Sequence, residues 1–155
     1  MSERKIDIYN HVMPRAVADR IRELAPGKGD MVKRVTNIPM LYDIEARVRM
    51  MEQWPGYQQV LTLSSPPIET IAGPGDTPEL ARVANNELLN ICKTRPDKFP
   101  AWVASLPLNN VDASLEEMDR SDRVRRTRDP DLHQCQWPTA RRSRVGADLQ
   151  ACDEP

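Results

Sequence analysis

Residues 5–14 read KIDIYNHVMP, and the first element of the fold is predicted from this stretch. Apolar and polar side chains alternate over residues 5–9, and the residue types are those that favour β-strands. Pro14 suits the first turn of a helix, and apolar residues follow it at helical spacing up to residue 24. We therefore predict a first strand that runs toward His11 and a helix that follows it.

The same order of elements recurs further along the chain. Short apolar runs alternate with amphipathic patterns, whereas residues 28–42 show no clear period and are predicted to form a loop. The patterns predict strands at residues 59–64 and 99–106, and helices at 43–53, from 76 and from 112. Strands that alternate with helices indicate an α/β fold built from parallel βαβ units with right-handed crossovers.

Composition and charge exclude several classes of function. The chain has 155 residues and a formal net charge of −1, so we expect one domain and neither nucleic acid nor a membrane as partner. No apolar run is long enough to span a bilayer, and the N-terminus lacks the apolar run of a signal peptide. Cys92, Cys135 and Cys152 lack CxxC spacing, which argues against disulfides and a structural zinc site. We expect a cytoplasmic protein.

Three stretches resemble the amidohydrolase-related metal enzymes that include aminocarboxymuconate-semialdehyde decarboxylase and resorcylate decarboxylase. KIDIYNHVMP is similar to the first strand of that family and its metal motif. RVRMM at residues 47–51 with QVLTLS at 59–64 resembles the segment from helix to second strand, and KFPAWVASLP at 98–107 with ASLEEM at 113–118 resembles the third βα unit. The resemblance covers residues 4–120 in order. It implies a partial (β/α)8 TIM barrel, of which this chain holds the first three βα units.

The resemblance also implies a metal site at the end of the first strand. In the family a His-x-His motif supplies two ligands, because residues i and i+2 of a strand point to the same face. Here His11 keeps the second position and Tyr9 replaces the first. A neutral phenol is a poor zinc ligand, and the other expected ligands lie beyond the family-like region. We therefore expect zinc or another divalent metal in the parent family and no retained metal site here. The alternative for His11 is a hydrogen-bonded histidine at a strand end.

Arg47 is similar in position to an arginine that holds a substrate carboxylate in the decarboxylase branch, where a guanidinium offers two parallel donors. The alternative is a solvent-exposed helix charge beside Glu45 and Arg49. Asp7 is predicted to share the face of the metal motif and to have a structural role. The pair at residues 116–117, two glutamates, is predicted to lie on a solvated helix face.

The composition changes after residue 120. Residues 121–155 contain seven Arg and no Lys, and they show no apolar periodicity. Composition alone predicts disorder, but a frame shifted by one base lets the codons of residues 131–138 encode Ile-Tyr-Thr-Asn-Val-Asn-Gly, which is typical of the family's next strand. We predict residues 1–120 to be the N-terminal part of the barrel and residues 121–155 to be an out-of-frame, disordered tail. The spacing of His133 and Cys135 in this tail is not taken as a metal site.

These expectations define a function hypothesis. The chain is predicted to be a truncated member of the family, whose parent is a hydrolase or a non-oxidative decarboxylase of small carboxylated substrates, and to be inactive by itself. Two alternatives remain open. One is a half-barrel that is complemented by a separate downstream fragment or that forms a homo-oligomer. The other is a small interaction protein that binds through its tail.

Overall fold

The computed structural model describes residues 3–128, which form an α/β fold. In chain order its elements are β1 (Lys5–Val12), α1 (Arg15–Leu24), α2 (Gly29–Thr36), α3 (Pro39–Tyr42), α4 (Ile44–Glu52), β2 (Tyr57–Leu63), α5 (Thr77–Thr94), β3 (Ala101–Trp102) and α6 (Val111–Arg128). Single 3₁₀ turns at Pro26–Lys28 and Ile68–Thr70 lie in the connections. None of the helices within this part of the chain has the length and apolar character needed to cross a membrane.

The three strands form one parallel sheet in the order β1-β2-β3. Parallel neighbours need a crossover connection, and here helices supply each crossover. The prediction of an α/β fold built from parallel βαβ units is thereby confirmed.

Helices cover one face of the sheet. Val12 and Leu61 project from β1 and β2 into a core cluster with Phe99 and with residues of α4 and α5, all buried: Val48, Met51, Leu88 and Cys92. A second cluster joins α1, α2 and α5, where Ile21, Val32 and Leu80 are buried. Burial of these side chains is the main force that holds the helices on the sheet.

The opposite face of the sheet is largely open. Ile6 is 45% exposed, Tyr9 82% and Val103 50%. In an intact barrel the strands enclose this face and fill it with side chains. Among residues 3–128 no helix covers it in that way, so the sheet resembles a segment cut from a closed barrel.

The prediction of a loop over residues 28–42 is wrong. This segment contains α2 and α3. Val32 is 3% exposed and packs in the cluster with α1, and the backbone N–H of Met13 donates to the carbonyl of Leu41 at 2.7 Å. Short helices of this kind are stabilised by tertiary packing rather than by their own length, so their sequence period is weak.

The third strand is much shorter than the predicted range of 99–106. Only Ala101 and Trp102 are in strand conformation, and Phe99 lies fully buried in the core. The side chain of Asn85 on α5 explains why the ladder ends early. Its Oδ1 accepts from the backbone N–H of Ser105 at 2.8 Å and its Nδ2 donates to the carbonyl of Ser105 at 2.9 Å, so a helix satisfies backbone groups that a strand would otherwise pair.

Helix α6 continues past residue 120, the predicted boundary, and ends at Arg128. Ser121 is 8% exposed, so the first residues of the predicted tail are packed and helical. Residues 129–155, with His133 and Cys135, lie outside the described part of the chain. The change of frame stays a prediction.

Glu117 joins α6 to α5, and the prediction that it lies on a solvated face is wrong, because it is 4% exposed. Its carboxylate accepts from Asn85 Nδ2 at 2.7 Å and from Arg120 Nε at 2.7 Å. Burial alone would raise the pKa of Glu117, but the hydrogen bonds from Arg120 and Asn85, with the charge of Arg82, outweigh it and place the pKa below its ordinary value.

We expect the contribution of Glu117 to stability to depend on pH. A carboxyl whose pKa is lower in the folded state stabilises the fold above its unfolded pKa, and that contribution is lost as the pH falls through the folded pKa. Glu117→Gln should lower the free energy of unfolding at pH 7 by about 1–3 kcal/mol. The difference in the free energy of unfolding between this variant and the wild type should become smaller when the pH falls below 4.5, the ordinary pKa of a glutamate. Urea unfolding, followed by circular dichroism at pH 7 and at a pH below 4.5, measures this difference.

The control is Glu116→Gln, which changes an exposed neighbour on the same helix. We expect it to alter the free energy of unfolding by less than about 0.5 kcal/mol at either pH. A difference between the Glu117→Gln protein and the wild type that stays constant with pH would contradict the assignment.

Candidate functional site

The candidate site lies at the carboxyl edge of the sheet. His11 is the next-to-last residue of β1, and Tyr9 stands beside it with its ring edge toward the imidazole, at 5.2 Å between centroids and an interplanar angle of 71°. Tyr9 is largely exposed, whereas His11 is half-buried. The two residues that sequence analysis placed at the metal motif are therefore brought together on the open side of the sheet.

A β-bulge in β1 separates Asp7 from this pair. Asp7 pairs with Gln59, whereas Asn10 pairs with Leu61 and His11 with Thr62, so β1 contains one more residue than β2 over the same length. Paired residues of parallel strands point to the same face, and Gln59 and Thr62 point to opposite faces. The prediction that Asp7 shares the face of Tyr9 and His11 is therefore wrong: Asp7 lies on the side of the helices.

His11 is held by the neighbouring strand. Its Nδ1 lies 2.6 Å from the hydroxyl oxygen of Thr62, and the same hydroxyl donates to the backbone carbonyl of Asn10. These two contacts fix the imidazole against β2. The hydrogen-bonded alternative for His11 is thus observed, and it is compatible with a free second ring nitrogen.

Arg47 of α4 is buried beneath the sheet, with 4% of its surface exposed. Its Nε donates to the carbonyl of Met40 at 2.7 Å, its Nη1 to Asn10 Oδ1 at 2.9 Å and to Gln59 Oε1 at 2.8 Å, and its Nη2 to the carbonyl of His11. The alternative of a solvent-exposed helix charge is therefore wrong. These four hydrogen bonds all lead to the chain itself.

The hydrogen bonds continue from Arg47 to Asp7. Gln59 Nε2 donates to the hydroxyl oxygen of Tyr57 at 3.0 Å, and that hydroxyl donates to Asp7 Oδ2 at 3.0 Å. Each group donates in the same direction, from the cation toward the carboxylate. Burial lowers the pKa of Arg47, and the nearby Tyr57 and Asp7 act against this shift; a guanidinium nevertheless stays protonated in proteins.

Sequence analysis missed Asn10, Tyr57 and Gln59 as members of this network. One signal was present, because Gln59 is a polar residue at a buried position of the predicted strand 59–64. Buried polar side chains are normally hydrogen-bonded, so Gln59 required a polar partner from another element.

The described residues do not make a complete metal site. Among residues 3–128 no group of three or more His, Cys, Asp or Glu side chains is placed to hold an ion. A catalytic zinc site takes about three protein ligands, and His11 contributes one imidazole. Tyr9 adds only a phenol, and Asp7 is committed to Tyr57 on the other face.

A shallow cleft of about 220 Å³ opens beside this edge of the sheet. It lies where β2 and β3 end and is lined by serine, proline and aliphatic side chains, among them Ser64, Pro66, Ile68, Ser105 and Leu108. A second cleft of about 390 Å³ lies at the start of β1 and β2, around Lys5 and Trp54. Ligands of parallel α/β folds bind at the carboxyl ends of the strands. The smaller cleft lies at this edge of the sheet, but His11 is not one of its lining residues.

The chain was compared with known proteins. No family model matches it. It is 37% identical over 81 residues to gamma-resorcylate decarboxylase of Rhizobium sp., covering 52% of this chain and 24% of that protein. It is 31% identical over 131 residues to 2-amino-3-carboxymuconate-6-semialdehyde decarboxylase of Caenorhabditis elegans, covering 73% of this chain and 32% of that protein.

Solved structures agree with these relatives. A 2,6-dihydroxybenzoate decarboxylase in complex with 2,6-dihydroxybenzoate superposes with a TM-score of 0.58 at 30% identity, over 77% of this chain and 36% of that one. This chain is related, over part of their length, to decarboxylases of the resorcylate and aminocarboxymuconate-semialdehyde type. The resemblance found in the sequence is thereby confirmed, and the chain spans about a quarter to a third of the relatives it matches.

A further solved structure resembles this chain in its fold. The dihydroxybenzoic acid decarboxylase of Polaromonas sp. JS666, a structure with bound manganese and the inhibitor 2-nitroresorcinol, superposes with a TM-score of 0.59 at 23% identity. The match covers 79% of this chain and 36% of that one. The three βα units therefore coincide with part of a larger enzyme fold.

We expect Arg47→Met to destabilise the protein strongly. The substitution keeps a long apolar stem but leaves the oxygens of Asn10 and Gln59 and two backbone carbonyls without their donor. The free energy of unfolding should fall by about 2–4 kcal/mol, measured by urea unfolding. Arg49→Met is the matched control on the exposed side of α4 and should change it by less than about 0.5 kcal/mol. Equal effects of the two substitutions would contradict the buried network.

Proposed function

We propose that this chain forms the first part of a metal-dependent barrel enzyme that acts on small carboxylated molecules, and that the chain by itself is inactive. The observation that carries the proposal is the position of His11 at the carboxyl edge of a partial barrel sheet, pinned by Thr62. Non-oxidative decarboxylation is the favoured reaction class and hydrolysis the alternative, because the relatives that match are decarboxylases.

The substrate class follows from the relatives rather than from this chain. One neighbour holds 2,6-dihydroxybenzoate and another holds 2-nitroresorcinol, which are small planar aromatic molecules. The cleft beside Ser64 and Ser105 has apolar walls of Ile68 and Leu108 and suits one edge of such a ring. We therefore propose a carboxylated aromatic compound as the substrate of the complete enzyme.

The divalent metal is also part of the proposal. A neighbour carries manganese, and we propose zinc, manganese or a similar ion for the complete enzyme, with His11 as the ligand from this chain. Tyr9 stands at the position of the usual first ligand. Arg47 enters the proposal as the residue that positions β1 and His11, because its four hydrogen bonds go to the chain itself rather than outward to a substrate.

The proposed inactivity of the single chain is supported by the ligand set of residues 3–128, which is incomplete. One imidazole does not hold a catalytic ion, and the described cleft is open and shallow. The remaining ligands and the rest of the cavity wall are expected from the later units of a barrel.

A second candidate function is that of a complementing half-barrel. The exposed Ile6, Tyr9 and Val103 favour it, as do the outer edges of β1 and β3, which pair with no other strand among residues 3–128. Unpaired strand edges and open apolar faces associate with other chains. The partner in this hypothesis is a separate polypeptide that carries the later βα units of the barrel. A small interaction protein that binds through its tail, residues 121–155, remains the alternative, with no observation in residues 3–128 in its favour.

We expect the purified chain to release no carbon dioxide from 2,6-dihydroxybenzoate in the presence of Mn²⁺ or Zn²⁺. When it is co-expressed with the later units of a 2,6-dihydroxybenzoate decarboxylase, a stable complex should appear in size-exclusion chromatography. A Val103→Lys variant, with a charge on the open face of the sheet, should weaken the complex. Turnover by the chain alone would contradict its inactivity, and no gain in soluble complex would contradict the half-barrel hypothesis.

The change of frame makes a separate prediction about the gene. A DNA read across the codons of residues 119–121, continued about 600 bases downstream, should show the shifted frame running on through the later units of the barrel. His and Asp codons should follow at later strand ends. If the shifted frame closes at once, residues 121–155 are a genuine tail and the truncation hypothesis is wrong.

A further inference from the structure

The hydroxyl of Thr62 contacts both the imidazole of His11 and the backbone carbonyl of Asn10. The Thr62 oxygen lies 2.6 Å from His11 Nδ1 and is hydrogen-bonded to the backbone carbonyl of Asn10. A threonine hydroxyl has one proton to donate and lone pairs to accept with. Since a carbonyl oxygen can only accept, the Thr62 proton must point to Asn10. If it pointed to His11 instead, two oxygen atoms would face each other without a proton between them.

The contact with His11 is then satisfied only if Thr62 accepts and Nδ1 donates. We propose that Thr62 is a positioning residue that holds neutral His11 as the Nδ1–H tautomer and leaves the lone pair on Nε2, directed away from β2. A histidine side chain that is free in water prefers the opposite tautomer, with the proton on Nε2. The preference is therefore set by Thr62 and not by the ring itself.

The backbone that carries His11 is held from both faces of the sheet. Thr62 bonds the carbonyl of Asn10 from one side, and Arg47 bonds the carbonyl of His11 and the Asn10 side chain from the other. Thr62 and His11 are also direct partners in the strand register. This arrangement fixes both the ring direction and its tautomer before any ligand is present.

The consequence for metal binding rests on the proposed function. A neutral histidine that binds a metal through one nitrogen almost always donates its other N–H to an acceptor, and loss of that acceptor costs about 10- to 100-fold in affinity or activity. Thr62 is such an acceptor for His11. In the complete enzyme, the contact with Thr62 would thus leave Nε2 of His11 available to the ion, and the imidazole would not need to change its direction or its tautomer.

Nitrogen-15 NMR of the full chain tests the tautomer directly. The chain has two histidines, so a His133→Gln variant assigns the His11 signals. In a long-range ¹H–¹⁵N spectrum at about pH 9, where ordinary imidazole is neutral, we expect His11 in the Nδ1–H form. Thr62→Val, which keeps the shape and removes the hydroxyl, should shift it toward the Nε2–H form, and Thr62→Ser should retain Nδ1–H.

An Nε2–H ring in the wild type, or a Thr62→Val ring that stays in the Nδ1–H form, would overturn the proposal. If Thr62→Val does not fold, as judged by circular dichroism, the wild-type and Thr62→Ser spectra still decide it. The result is independent of metal and of turnover. Turnover by the chain alone would therefore contradict the proposed inactivity and leave the role of Thr62 standing. An Nε2–H ring in the wild type would contradict the role of Thr62 and leave the proposed inactivity standing.

Discussion

Arg47 is a buried cation at the junction of four elements, and the geometry of the site depends on how its charge is accommodated. Transfer of a guanidinium from water into a protein interior costs several kcal/mol unless hydrogen bonds compensate. Here the compensation comes from α3 through the carbonyl of Met40, from β1 through Asn10 and His11, and from β2 through Gln59. Displacement of any of these elements would leave a buried charge or a buried carbonyl unsatisfied.

The network also connects the positive charge of Arg47 to the negative charge of Asp7, which are not in direct contact. Gln59 and Tyr57 lie between them, and each group donates a hydrogen bond in the direction of Asp7. The successive hydrogen bonds in such a series polarise and strengthen one another in a medium of low dielectric constant. The bulge in β1 makes this possible, since it turns Asp7 toward the helices while His11 faces the open side. The same irregularity therefore builds the buried network and separates it from the candidate site.

Much of the fold could be predicted from the sequence, because strands and long helices carry strong periodic patterns. The run at 59–64 and the helix after residue 76 are examples, and the collinear resemblance supplied the barrel. The bulge at Asp7 could not be predicted, since alternation assumes a regular strand. Helices α2 and α3 were missed because contacts of Val32 and Leu41 with other elements stabilise them. The local spacing of apolar residues shows no helical period there.

The site shows a similar division. The family resemblance placed Tyr9 and His11 at a motif with i, i+2 spacing, and the structure brings the two rings together. The burial of Arg47 was hidden, since its neighbours Glu45 and Arg49 give α4 a polar sequence, and its partners come from three other elements. Thr62 carried no signal in a run of strand residues, because its importance lies in which residue it pairs with across the sheet.

The two faces of the sheet differ in how their side chains are surrounded: helices pack on one face, and the other face is open. On the helix side, apolar side chains pack into two buried clusters, and Arg47 and Gln59 are hydrogen-bonded to other described residues. On the other side, a tethered imidazole stands beside an exposed phenol and exposed aliphatic residues. A side chain held this firmly serves little purpose for stability when it faces an open surface. Under the proposed function, this restraint on His11 would serve a reaction centre whose other walls belong to the later units of the barrel.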